Sequence, residues 1–213
     1  KNRLLTTIAY RINGKTTYAM EGSIFIAGAG VQWLRDRMKF FKTAPETEKI
    51  VKSLKDNNNI YLVPAFTGLG APYWDANARG VLSGITRDTS PKEIVRATIE
   101  AVAYQTYDLF EAMKHDGLRP KIVKVDGGMV MNNWFSQFLS DIVNVKVLRP
   151  KVQETTALGA AFMAGLQIGV YKSLKDISKN WHLDKNFSPK MKNQNRNHLL
   201  KGWASAIKKT LSN

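Results

Sequence analysis

Two glycine-bearing turns are the residues best suited to chemistry. In Val125-Asp126-Gly127-Gly128 an apolar run delivers two glycines just before a helix that the pattern starts at about Asn132. Two successive glycines let the backbone approach a ligand closely, and the following helix start aims free N–H groups and a positive dipole end at it. Phosphate is the natural occupant; a plain tight turn is the competing reading. Gly28-Ala29-Gly30-Val31-Gln32 repeats the idea between a strand-like run and a helix. It fits neither G-x-G-x-x-G nor G-x-x-x-x-G-K-[ST], because Gln32 and Trp33 stand where the third glycine or the lysine is required. The alternative here is a helix N-terminus made small for close packing.

Other reacting groups are missing from the pattern. His115, His182 and His198 have no metal-ligand spacing, no G-x-S-x-G elbow is present, and acidic pairs at metal spacing are absent. The residues therefore offer two backbone-lined anion or nucleotide cradles, no catalytic residue and no metal ligand set. A third small-residue run, Thr155-Thr156-Ala157-Leu158-Gly159-Ala160-Ala161, reads as a helix start capped by Thr155 or Thr156 that packs tightly on a sheet.

These turns need elements to hold them. Leu4–Tyr10 and Thr16–Ile26 read as two strands joined at Asn13-Gly14, a strong hairpin signal. Helices are expected from about Ala29 to Met38 and from Pro45 to Leu54, and Ile60–Val63 reads as a buried strand before a Gly- and Pro-rich loop, Thr67–Asp75. Ser90 and Glu93 form a capping box, with Pro91 at the first helical position, for a long helix to about Met113. From Ile122 the rhythm becomes strand, turn, helix, strand, helix, the mark of an α/β layer fold. A last amphipathic helix carries Leu200, Trp203, Ile207 and Leu211. No internal repeat interrupts this order, and residues 1–213 read as a single domain.

Composition narrows the classes of function. The 213 residues carry a net charge of +15 and no cysteine, which excludes disulfide scaffolds and thiolate sites and favours a cytoplasmic setting. Between Lys172 and Asn213, ten Lys or Arg face two Asp, so about half of the excess lies in the last fifth of the chain. A solvated basic face is the simplest reading; a basic nucleic-acid-binding module is the alternative. No run reaches the ~18 apolar residues of a membrane span. The chain opens at Lys1 without a leader, which reads as a fragment or a processed product.

Taken together, Tyr18–Asp36 (YAMEGSIFIAGAGVQWLRD), Val63–Arg87 (VPAFTGLGAPYWDANARGVLSGITR), Arg96–Met113 (RATIEAVAYQTYDLFEAM), Val125–Ile142 (VDGGMVMNNWFSQFLSDI) and Thr156–Gly165 (TALGAAFMAG) resemble the C-terminal domain of the FGGY carbohydrate kinases. The second and third runs look more like the glycerol kinases of that family than like its xylulose, ribulose or gluconate kinases. The resemblance covers Leu4 to about Trp203. It implies an actin-like ATPase, ribonuclease H-like fold, with a mixed sheet flanked by helices, as the nucleotide-binding half of a two-domain enzyme. It further implies ATP or ADP with Mg²⁺ as cofactor, ATP and glycerol as substrates, the N-terminal half as partner and a homodimer or homotetramer when complete. Neither nucleic acid nor a membrane is an expected partner. Nucleotide contacts then fall on Gly28, Gln32, Gly127, Gly128 and Asn132. The family's general base, magnesium carboxylate and glycerol-binding residues match nothing in this chain, which is therefore expected to be inactive alone.

Overall fold

The computed structural model describes residues 3–212. Strands β1 (Leu5–Ile12) and β2 (Lys15–Glu21) form an antiparallel ribbon. Asn13 and Gly14 take φ of 50° and 76°, the two positive values that a tight primed turn needs. β2 stops at Glu21 rather than continuing to Ile26. A Cβ on Gly22 would lie 2.6 Å from a Leu109 methyl, and the Ser23 carbonyl accepts from Ala71 N–H at 3.1 Å instead of from a strand.

Helix α1 (Gly28–Asp36) follows, then α2 (Glu46–Lys52). β3 (Tyr61–Val63) is fully buried and pairs antiparallel with β4 (Val81–Ser83). Between them the loop at 67–75 runs close to the chain entering α1: a Cβ on Gly70 would sit 2.2 Å from the Ser23 carbonyl oxygen. The glycine there is a packing requirement, and it braces the approach to the Gly28 turn.

The axis of the molecule is α3 (Pro91–His115), 25 residues long and so about 37 Å. Its start is built as the sequence demands. Ser90 Oγ accepts from Lys92 N–H at 3.3 Å, while the Glu93 carboxylate accepts from Ser90 N–H at 2.9 Å. Fourteen of its residues are buried, because it meets α1, α2, β3 and α4 (Asn133–Val143) around its circumference.

β5 (Ile122–Lys124) pairs parallel with β6 (Lys146–Pro150), which pairs antiparallel with β7 (Leu183–Phe187). Between β6 and β7 lie α5 (Thr155–Gln167) and α6 (Leu174–Ser178), and α7 (Asn193–Thr210) closes the chain. The core is centred on aromatic side chains: Tyr104 stacks on Trp203 at 5.2 Å and meets Phe138 edge-on at 5.6 Å. Such pairs add to the area that they bury.

Two expectations fail at α5. Its N-cap is Glu154, without a side-chain cap bond, and the Thr155 hydroxyl donates instead to the Asp126 carboxylate. The small-residue run does not pack on a sheet: only Gly165 of this helix is buried, and a Cβ on Gly159 would meet nothing within 4 Å. No helix among the described residues is long and apolar enough to cross a membrane.

Candidate functional site: a cavity between two glycine turns

The first turns of α1, α2 and α4 converge on a cavity of about 510 Å³. Gly28, Gln32, Gly128 and Asn132 all line it. The glycines of the first turn divide their work. A Cβ on Gly30 would press on a Thr98 methyl of α3 at 3.0 Å, whereas one on Gly28 would meet nothing within 4 Å. Gly30 is a packing glycine; Gly28 faces open space. No side chain caps α1, and its first turn contains no acidic residue, so this helix start keeps its positive character.

The second turn differs from its sequence reading. Gly127, at φ 82°, turns the chain out of β5 without lining the cavity. A single 3-10 turn, Gly128–Met131, then precedes α4, whose N-cap is Asn132. Two of the first three N–H groups of α4 are taken by the protein. Asn133 N–H donates to Glu48 Oε2 at 3.2 Å and Phe135 N–H to Asn132 Oδ1 at 3.0 Å. What remains open is the backbone of the glycine turn, since a Cβ on Gly127 or Gly128 would meet nothing within 4 Å.

Three residues missed by motif reading hold this turn in place. Arg149 of β6, 6% exposed, donates to the Val130 carbonyl at 2.8 Å and is paired with Asp184 at 2.7 Å. From α2, Thr47 Oγ1 accepts from Asn132 Nδ2 at 3.3 Å, and Glu48 receives Asn133. Lys52 pairs with the other Glu48 oxygen. Burial pushes the Glu48 carboxyl up, but the Lys52 and Asn133 hydrogen bonds outweigh it and hold the group below its ordinary range. Glu48 is therefore a fixed anion that pins α2 to α4. An arginine in the otherwise apolar run Val147-Leu148-Arg149 was the one signal available in the sequence; Thr47 and Glu48 act on residues 85 positions away and gave none.

Apart from Arg35, which is paired with Asp36, the remaining cavity wall is apolar, with Val31, Ile99, Met129 and Met131 among its residues. A cavity with apolar walls and a few fixed polar groups suits a flat heterocycle carrying a polar tail. Among the described residues no group of three or more His, Asp or Glu side chains could hold a metal ion, and both Glu48 oxygens are already engaged. The residues present do not by themselves fit a magnesium site.

Residues 4–168 match the FGGY family of carbohydrate kinases, C-terminal domain. Glycerol kinase 1 of Pseudomonas aeruginosa is 56% identical over 212 residues, which are 100% of this chain and 43% of that protein. A glycerol kinase of Clostridium botulinum (strain 657) is 53% identical, over 99% of this chain and 43% of its own length. The chain thus spans less than half the length of the curated relatives it matches. Among solved structures, Plasmodium falciparum glycerol kinase with ADP superposes with a TM-score of 0.88 at 37% identity, over 99% of this chain and 42% of that one. The fold is that of the actin-like ATPases, and the chain belongs to the FGGY family of carbohydrate kinases.

Proposed function

We propose that this chain is the nucleotide-binding part of an ATP-dependent glycerol kinase of the cytoplasm. The complete enzyme moves the γ-phosphoryl group of ATP to glycerol, giving sn-glycerol 3-phosphate and ADP. The observation that carries the reading is the convergence of Gly28, Gln32, Gly128 and Asn132 on one cavity. Full-chain identity to proteins named glycerol kinase and likeness to one solved with ADP support it.

In this reading the base lies against the apolar wall, and the two open glycine turns let backbone groups reach the phosphates. Gln32 and Asn132 hold polar groups of the nucleotide through their side-chain amides. Gly127 supplies the turn that presents Gly128. The family's chemistry needs magnesium to neutralise the phosphates. The carboxylates for it, the base for the glycerol hydroxyl and the glycerol-binding groups belong to the N-terminal half of a longer polypeptide, which assembles as a homodimer or homotetramer. Phosphoryl transfer rests on positioning and electrostatic stabilisation, so half a cleft does not turn nucleotide over.

An ADP titration of the ¹⁵N-labelled chain tests this. Saturable shifts are expected at the backbone amides of Gly28, Gln32, Gly128 and Asn132, and the same preparation should show no glycerol-dependent ATP consumption. A folded chain whose spectrum ADP leaves unchanged overturns the nucleotide assignment. Turnover by the isolated chain overturns the division of labour.

A further inference from the structure

Asn132 lines the cavity while its side chain is bound on two sides by protein. Its Oδ1 accepts from Phe135 N–H at 3.0 Å, capping α4, and its Nδ2 donates to Thr47 Oγ1 at 3.3 Å. Thr47 in turn donates its only hydroxyl proton to the Ala44 carbonyl at 2.6 Å, so toward Asn132 it can only accept. Thr47 is 4% exposed. The orientation of the amide is thereby set twice. Exchanging its oxygen and nitrogen would put a lone pair against the Thr47 oxygen and an NH₂ against the Phe135 N–H. One Nδ2 proton goes to Thr47, and the second is left as a donor.

We infer that Thr47 is a positioning residue of the nucleotide site. The relay from the Ala44 carbonyl through the Thr47 hydroxyl to the Asn132 amide fixes that amide as a hydrogen-bond donor toward the cavity. The group it meets must be an acceptor: a ring nitrogen, a ribose oxygen or a phosphate oxygen of the nucleotide, and not an amino group. Glu48 supports the arrangement by holding Asn133 N–H, the next backbone donor, at 3.2 Å. The inference rests on the nucleotide reading above and deepens it, because it assigns polarity and a second layer to a contact that the resemblance left as a bare amide.

The test is a double-mutant cycle read by ADP titration of the chain, with Thr47→Val, Thr47→Ser, Asn132→Ala and the Val/Ala double variant. One neutral hydrogen bond is worth up to about a tenfold change in affinity, and removing Thr47 loosens that bond without deleting its donor. Thr47→Val should weaken ADP about five- to tenfold, Thr47→Ser should bind within about twofold of the parent, and Thr47→Val should cost nothing further in the Asn132→Ala background. A merely structural role would weaken binding equally in both backgrounds and would not be rescued by serine; either result overturns the inference. Thr47→Ala gives the same comparison if valine disturbs α2, with thermal melting of each variant confirming the fold. Unchanged affinity in Thr47→Val overturns the inference alone. Absence of ADP binding by the parent chain overturns the nucleotide reading and this inference with it.

Discussion

Asp108 gives the sharpest test of how the C-terminal helix is held. It lies on α3, and its Oδ2 accepts from Tyr73 Oη at 2.8 Å and from Trp203 Nε1 of α7 at 2.8 Å. Burial pushes its carboxyl from 3.8 up to about 6, against the two hydrogen bonds that pull it down. The folded chain thus holds this proton more tightly than the unfolded chain does. The resulting stability is whole below about pH 4 and is lost as pH rises through about 6. Two units correspond to a ceiling of about 3 kcal/mol, and partial exposure of the residue reduces the expected effect to about 1–2 kcal/mol. Asp108→Asn stays neutral at every pH, and its carbonyl can accept both bonds. Urea unfolding should therefore find it equal to the parent near pH 4 and about 1–2 kcal/mol more stable at pH 8. A difference independent of pH, or an asparagine variant less stable at pH 8, would refute the argument. Asp108→Ala provides the contrast. It leaves the indole N–H of Trp203, a residue 1% exposed, without its acceptor, and should lose about 2–4 kcal/mol near pH 4 and about 1–2 kcal/mol less than that at pH 8, where the parent has already lost its proton.

Two further predictions concern the core around that helix. Gly202→Ala would place a Cβ 2.2 Å from Tyr61 Oη and 2.3 Å from its Cζ. α7 must then move off β3, and the net loss should be about 1–3 kcal/mol in chemical denaturation despite the better helix propensity of alanine. Arg96→Met would remove the guanidinium that donates to Glu100 Oε1 at 2.8 Å. Glu100 is 0% exposed, and Tyr104 Oη at 2.8 Å and Asn57 Nδ2 at 3.3 Å would remain as its donors. A loss of about 3–5 kcal/mol is expected, shrinking on acidification because a protonated Glu100 carries no charge; melting at pH 5 and pH 8 measures both.

The features legible in the sequence are those whose cause is local. Ser90, Pro91 and Glu93 lie within one helical turn, so the capping box was readable before any tertiary contact was known. Asn13-Gly14 dictated its turn for the same reason. The two glycine turns were legible as places where backbone is exposed, but not in their division of labour. That Gly30 packs on Thr98 while Gly28 stays open depends on α3, some 70 residues away. β7 was invisible because four of its five residues are exposed. Its place is held by the ladder to β6 and by Arg149 pairing with Asp184, not by any apolar alternation of its own.

The error at α5 and the omission of Thr47 have one root. Small residues state that a surface can be approached, not that anything approaches it. At Gly30 and Gly165 the same residue type is indeed filled in, by Thr98 and by Tyr171, whereas at Gly159 the space is open. Conversely, Thr47 reads in the sequence as an unremarkable helix residue, and its importance arises only because Ala44 takes its proton and so fixes what its oxygen can do for Asn132. A hydroxyl's direction is set by its partners, and those partners lie on two different elements. Residue type therefore supplies the capacity for a contact in both cases, and the fold decides whether the capacity is used.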